Sequence, residues 1–291
     1  MRFLFKTSYN QDISLLKHNG QRFWYGLLLA SLLAPSWVLP DYWLAQVTFI
    51  FIHAIVAVGL MLLAGFTGKF SIGHAAFMGV GAYTEAYLAI KGWPFPLSLA
   101  CAMGLSAAVG VVVGLPALRV KGIYLGIATL SFGFIVEEVM ARWEHVTGGN
   151  AGKTVPPISA FGISAESDQA FYFVCLACLL GTTVVVLNLL RAPTGWAFVA
   201  IRDSEISAQS MGIHLAKYKS MSFAISAALA GLGGGLCTHK MAFISPDQFG
   251  LVQSIDLLLM VVIGGLGSAH GAIFGAIFLI GMPQLIVMGK D

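Results

Sequence analysis

Residues Trp43 to Ala64 read WLAQVTFIFIHAIVAVGLMLLA, 22 residues without an Asp, Glu, Lys or Arg. Wound as a helix, such a run reaches about 33 Å and crosses a hydrocarbon core of about 30 Å. The rest of the chain has the same character. Of 291 residues 58% are hydrophobic and only 10% are charged, against about 25% in an ordinary soluble domain. The mean hydropathy is +0.85. So few charges cannot cover a water-facing surface, and disorder, a collagen-like chain and a secreted disulfide scaffold are excluded. The composition predicts an all-α, polytopic transmembrane helix bundle. The net charge of +3 supplies no basic field for nucleic acid.

Nine apolar runs are long enough to be considered as spans. They are Phe23–Leu39, Trp43–Ala64, Ser71–Ile90, Phe95–Leu118, Gly122–Ala141, Ala170–Leu190, Ser220–His239, Leu251–Leu266 and Gly271–Met288. The third is a broken segment, interrupted by Gly73, His74, Gly79, Gly81 and Glu85. The arm before the first run carries Arg2, Lys6, Lys17 and Arg22 and lacks a small-residue cleavage site, so that run reads as an uncleaved span. With a cytoplasmic amino terminus, eleven Lys and Arg fall on the cytoplasmic side and five outside. The positive-inside rule favours that orientation. It places 142–169 outside and 191–219 in the cytoplasm. Residues 1–291 then form a single membrane domain, with no room for a soluble one.

Several motifs resemble chemistry without completing it. Thr147-Gly-Gly-Asn-Ala-Gly-Lys-Thr154 nearly matches a phosphate-binding loop, but the first required Gly position holds Thr147. It reads as a flexible external loop. Gly68-Lys-Phe-Ser-Ile-Gly-His74 suggests a nucleophilic serine, yet Lys69 stands where a nucleophile elbow needs Gly. The better reading is a glycine-broken helix end inside the membrane, whose freed backbone groups need protein or a water-filled cavity around them. Such a break either lines a pathway or only permits close packing. The pathway candidates are Gly68, Ser71, Gly73 and His74 here, Thr129, Ser131 and Glu138 on the fifth run, and Gly264 and Gly265 on the eighth. Glu85, Glu137, Glu138 and Asp256 are acids within spans, costly unless solvated or functional. Each lies towards the outer end of its run, where it is partly solvated or lines an outer vestibule. The seven His residues are scattered and predict no metal site. Cys101, Cys175, Cys178 and Cys237 lie in apolar runs and read as filling. Gly110/Gly114, Gly122/Gly126, Gly231/Gly235 and Gly267/Gly271/Gly275 have the four-residue spacing of helix-packing faces.

The segment 191–219 is the most informative loop. It reads RAPTGWAFVAIRDSEISAQSMGIHLAKYK. Asp203 or Ser204 can cap a short helix and Gly212 can end it in a left-handed conformation. Ile206, Ala208 and Met211 supply small apolar contacts among polar neighbours. A helix of about two turns is marginal alone. It is either a handle for a partner or an ordinary loop on the headgroups.

Ile206-Ser-Ala208, followed by three residues and then Gly212, resembles the degenerate EAA loop of ABC importer permeases. From about Ala57 to Gly275 the chain resembles LivM-type permease subunits of branched-chain amino-acid ABC transporters. The resemblance is carried by Gly65–Phe77, Lys121–Leu130, Thr147–Asn150, Ala200–Ala208, Met211–Ile213, Ser245–Gly250 and Val261–Ser268. It implies a non-catalytic permease in the bacterial inner membrane, without a cofactor of its own. The implied partners are a LivH-type permease, two cytoplasmic ATPases that bind the ATP, and a periplasmic amino-acid-binding protein. It also implies ATPase coupling through Arg202, Glu205, Ile206, Ser207, Ala208, Met211 and Gly212, and alternating access driven through them. Two features depart from the pattern. The EAA position reads Ile-Ser-Ala, and the chain stops at Lys290-Asp291 where such chains continue into another span, as in a truncated or short variant. Permeases with such motifs also move urea, amides and aromatic acids. An ion-coupled secondary transporter would need midplane acids at a repeat interface, and a membrane enzyme a clustered acid–base or metal set; neither pattern is found.

Overall fold

A computed structural model describes residues 40–116, 120, 122–156, 159–160, 163–164 and 168–288. The first expected span, Phe23–Leu39, and the basic arm before it lie outside these residues. Ala45–Asp291 forms one compact unit, and of Met1–Leu44 only Pro40–Leu44 is described.

Each of the other eight expected runs is a helix. The first, α1 (Asp41–Met61), ends in a single π-helical turn, Leu62–Phe66. The chain then leaves helical geometry until α2 (His74–Ile90). There follow α3 (Phe95–Gly114), α4 (Ile123–Arg142), the short α5 (Glu144–Thr147) and α6 (Asp168–Arg191). The loop after α6 holds α7 (Pro193–Asp203) and α8 (Glu205–Ser210). The bundle closes with α9 (Leu215–Met241), α10 (Leu251–Gly264) and α11 (Ala269–Met288). Two-residue strands make two small antiparallel ladders, β1 (Lys153–Thr154) with β4 (Phe243–Ile244) and β2 (Ser159–Ala160) with β3 (Ile163–Ser164). The all-α class holds.

Six of these helical stretches are long and apolar enough to cross a membrane, among the described residues: Asp41–Phe66, Phe95–Gly114, Ile123–Arg142, Asp168–Arg191, Leu215–Met241 and Pro246–Gly264. The apolar stretch Ala269–Gln284 is shorter. The broken third segment gives a helix of only 17 residues, about 25 Å long. Three of the nine expected spans are thus missing from the six: Phe23–Leu39 lies outside the described residues, the last run is too short, and Gly73 and the residues before it leave too little chain in the third.

The core is the contact of α2, α3 and α9. Small residues bring these backbones together, because the bilayer supplies no hydrophobic drive between helices. A side chain at Gly81 would begin 2.4 Å from the Gly231 backbone, and one at Gly234 would begin 1.9 Å from the Met78 carbonyl oxygen. Gly110 faces Phe223 and Ala227, and Gly114 faces Ser220. The Gly110/Gly114 and Gly231/Gly235 faces are thus internal seams, and Gly264, Gly271 and Gly275 clamp α10 to α11. Gly122/Gly126 is not a seam: Gly122 meets open space and Gly126 meets only the Ile72 side chain.

Gly234→Val is expected to drive α2 from α9 and cost about 3 kcal/mol. Gly104→Val, where a side chain meets nothing within 4 Å, is the comparison. Thermal unfolding in detergent should show a large fall in midpoint for the first and little change for the second.

Candidate functional site

At one end of the bundle the carbonyls of the last turn of α1 have lost their helical partners. Three of them find replacements. The Thr67 hydroxyl donates to Leu62 O (3.2 Å), the Lys69 amide to Leu63 O (3.1 Å) and the Arg202 guanidinium to Gly65 O (2.9 Å). Arg202 comes from the end of α7, 137 residues away. Gly267, in the turn between α10 and α11, also packs on Gly65.

Beside this turn lies a buried ion cluster. Glu205 Oε1 accepts from Lys69 Nζ at 2.5 Å and from Lys219 Nζ at 2.8 Å. The side chains of Lys69, Lys219 and Glu205 are 8%, 2% and 14% exposed. Charges so far from water must be paired, and removing one partner strands the others. The cluster therefore ties α8 to the non-helical segment before α2 and to the first turns of α9.

Local sequence builds α8 as expected. The Ser204 hydroxyl, not Asp203, accepts from the Ser207 amide (3.3 Å). Gly212 takes φ +82°, and the Ile213 amide returns to Ala208 O (3.0 Å). Ala208 faces inward, whereas Ile206 and Met211 are 77% and 83% exposed. Both apolar side chains stand on the outer face of a segment that is held from behind. Next to them runs a groove of about 600 Å³, lined by Glu205, Gln209, Gly212, His214 and Lys219 among others. All seven residues assigned to coupling thus meet at one corner.

The pathway candidates divide. Ser71, Gly73, His74 and Thr129 meet at the start of α2. Thr129 accepts from the Ile72 amide (3.0 Å), and a side chain at Gly73 would begin 1.9 Å from the Thr129 carbonyl oxygen. Gly68 belongs instead to the α8 corner, against Arg202. Ser131 is exposed and bonds to Ile127 O within its own helix. Glu138 is exposed and pairs with Arg142. Gly264 is packed against Gly271, and Gly265 takes φ +99° in the turn that follows. The start of α2 holds two serines that sequence reasoning missed. Ser226 donates to Gly59 O (2.6 Å) and lies 3.3 Å from His74 Nε2, while Ser254 accepts from the Ala75 amide (3.1 Å). Their separation from His74 in the chain hid them.

At the other end the four span acids separate as well. Glu137 and Glu138 line a groove of about 680 Å³ with Asp247, Asn150 and Phe134, as a vestibule would require. Asp256 is half-buried. Glu85 is not solvated. It is wholly buried, accepting from the Ser98 hydroxyl (2.7 Å) and lying 2.9 Å from His239 Nε2. Nor is 147–154 a loose loop. The Thr147 hydroxyl donates to Met140 O (2.6 Å), Lys153 Nζ donates to Val146 O (2.8 Å), and β1 pairs with β4. Its lysine serves its own loop and is not aimed at a phosphate. Among the described residues no His, Cys, Asp and Glu cluster could hold a metal, and all four cysteines are free.

The family of permease components of branched-chain amino acid transport systems matches residues 42–290. The chain is 34% identical over 264 residues to the high-affinity branched-chain amino acid transport system permease protein LivM of Salmonella typhimurium and to that of Escherichia coli, covering 82% of this chain and 62% of each relative. It is 26% identical over 195 residues to the probable LivM of Methanocaldococcus jannaschii, covering 67% of this chain and 56% of that protein. The chain thus spans less than two thirds of the length of these relatives. No solved structure matches it.

The ion cluster makes the α8 corner testable on its own. Glu205→Ala leaves two buried lysines without their shared carboxylate and should cost about 3 kcal/mol locally. Hydrogen exchange at the Ala208 and Ile213 amides should quicken by more than tenfold. Lys219→Met, which keeps the Lys69 pair, should have a smaller effect.

Proposed function

The chain belongs to the family of permease components of branched-chain amino acid transport systems, and from that premise we propose that it forms part of the membrane passage of an ATP-driven importer of branched-chain amino acids. The bundle sits in the bacterial inner membrane with α8 on the cytoplasmic face. Its companions are a LivH-type permease, two cytoplasmic ATPases and a periplasmic amino-acid-binding protein. ATP is bound by the ATPases, and this subunit carries out no chemistry.

The observation that carries the reading is the α8 corner. Ile206 and Met211 offer an apolar surface outward, while Glu205 and Arg202 grip the break after α1 from behind. An ATPase that docks on this surface does work on the bundle only if its affinity differs between two bundle states. The grip turns that difference into movement. Displacing α8 pulls Lys69 through Glu205, displacing the adjoining end of α7 pulls Gly65 through Arg202, and both lie on the stretch that leads into α2. The start of α2 is where Gly73 closes on Thr129. Force applied under the membrane thus reaches the mid-bundle contact through seven residues of chain, Thr67–Gly73.

Ile206→Asp tests the reading. It places a charge on the exposed surface and leaves the buried grip intact. The variant should reach the membrane at normal levels, lose copurification with the ATPases, and take up L-leucine at least tenfold more slowly in vesicles that carry the whole complex. Normal uptake would remove the docking role of α8.

A further inference from the structure

The helices α10 and α11 form a body of their own. A side chain at Gly264 would begin 2.0 Å from the Gly271 carbonyl oxygen, one at Gly271 would begin 2.2 Å from that of Gly264, and one at Gly275 would begin 1.8 Å from that of Met260. Backbone thus rests on backbone over a full turn of both helices, the close approach that small residues permit. The two helices move together as a hairpin. The seam of α2, α3 and α9 is locked in the same way at Gly81 and Gly234, and it serves as the frame.

The hairpin meets the break and the frame at three heights. At the cytoplasmic end its turn packs on the π turn: a side chain at Gly65 would begin 2.6 Å from the Gly267 amide nitrogen. Further in, the buried Ser254 accepts from the Ala75 amide at the start of α2 (3.1 Å). Towards the outer end, Phe249 Cβ lies 3.0 Å from where a side chain at Gly79 would begin, and its ring stands edge-on to Tyr83 (6.2 Å between centroids). Ser254 stands ten residues before Gly264, about 15 Å along the helix. The hydrogen bond therefore falls between the other two contacts. A 3₁₀ turn, Pro246–Phe249, leads into α10 and extends it outward.

This outer arm is also a wall. Pro246 and Asp247 border the outer groove of about 680 Å³, and Phe249, Gly250 and Leu251 border a void of about 10 Å³ beside Gly73 and Ser254. Such a void has room for about one water. Phe134 and Glu137 line both spaces. Lifting the arm from α2 runs the two together.

We infer that the α10–α11 hairpin is a rocker, which pivots at the Ser254–Ala75 hydrogen bond and links the break at Gly65 to the outer groove. All three contacts fall on one stretch of chain, 65–83, so a push at one end is answered at the other. When Gly65 advances on the turn, Gly267 is driven out and, beyond the pivot, Phe249 is pressed onto Gly79. When Gly65 withdraws, the turn follows and Phe249 lifts, which opens the groove towards the start of α2. With arms of about 15 Å, a tilt of about 10° moves each end by roughly 2–3 Å. In this structure both ends are seated. The inference rests on the function proposed above only for what drives Gly65; the tilt belongs to the fold.

The test places a wedge at one end and reads the other. In the complete transporter, Phe249→Cys is introduced into a chain whose four native cysteines are replaced by Ala. Phe249 is 3% exposed, so an impermeant sulfonate methanethiosulfonate, added outside right-side-out vesicles, reaches position 249 when the arm lifts. Adding Gly65→Ala, whose methyl group must push the turn away, should slow that labelling at least fivefold from the opposite end of the hairpin. Gly104→Ala, where a side chain meets nothing within 4 Å, should leave the rate unchanged. In a second measurement, Gly79→Cys and Phe249→Cys together are oxidised to a disulfide that holds the arm down. Uptake of L-leucine should fall at least tenfold and return on reduction. A labelling rate that Gly65→Ala leaves unchanged or raises, or full uptake with the disulfide formed, would overturn the rocker. If Gly65→Ala does not reach the membrane, the disulfide decides alone. If the native complex moves no leucine, isoleucine or valine, the proposed function fails instead, and the effect of the wedge on labelling still reports whether the hairpin tilts.

Discussion

A backbone that leaves the helix inside hydrocarbon must find a partner for the groups it frees, because lipid offers none. That constraint governs the stretch from Leu62 to His74. The carbonyls of Leu62, Leu63 and Gly65 are met by Thr67, Lys69 and Arg202. The amides of Ile72 and Ala75 are met by Thr129 and Ser254. The partners come from four different elements, so the break holds its shape only while α4, α7 and α10 stay in place around it. Anything that shifts one of them reopens the question of where those bonds go.

The ion cluster applies the same rule to charge. Lys69 and Lys219 share one carboxylate, and neither can be withdrawn without exposing the others to an apolar surrounding. A surface ion pair would be worth little. Here burial converts three ordinary side chains into a joint between α8, α9 and the break. Ile206 and Met211 stay outside because Ala208 and Glu205 occupy the inner face of the same short helix.

Much of this was legible in the sequence, and most of what was missed has a common cause. The apolar runs marked the helices, since a span needs a length that few other elements share. Ser204 and Gly212 marked α8, because caps are local chemistry. The helix α7 was missed although Pro193 stands at its first turn and Ala197, Phe198 and Ile201 supply an inward face. Pro at that position together with apolar spacing is a local start signal, so this helix too was legible. Glu85 was expected to reach water, and nothing near it in the chain contradicts that. Its partners, Ser98 and His239, stand on two other helices. Lys69, Ser226 and Ser254 went unassigned for the same reason: helix spacing reports which residues share a face, not which faces meet.

The long helix α9 touches each of these places in turn. It carries Lys219 near its beginning, Ser226 in its middle and His239 near its end. Its 27 residues form an unbroken rod of about 40 Å. A rod of that length is a lever: a tilt of about 5° about one end carries the other through roughly 3.5 Å, more than the width of a hydrogen bond. Stiffness, more than any single contact, is what lets a small rotation at one face of the membrane be felt at the opposite one.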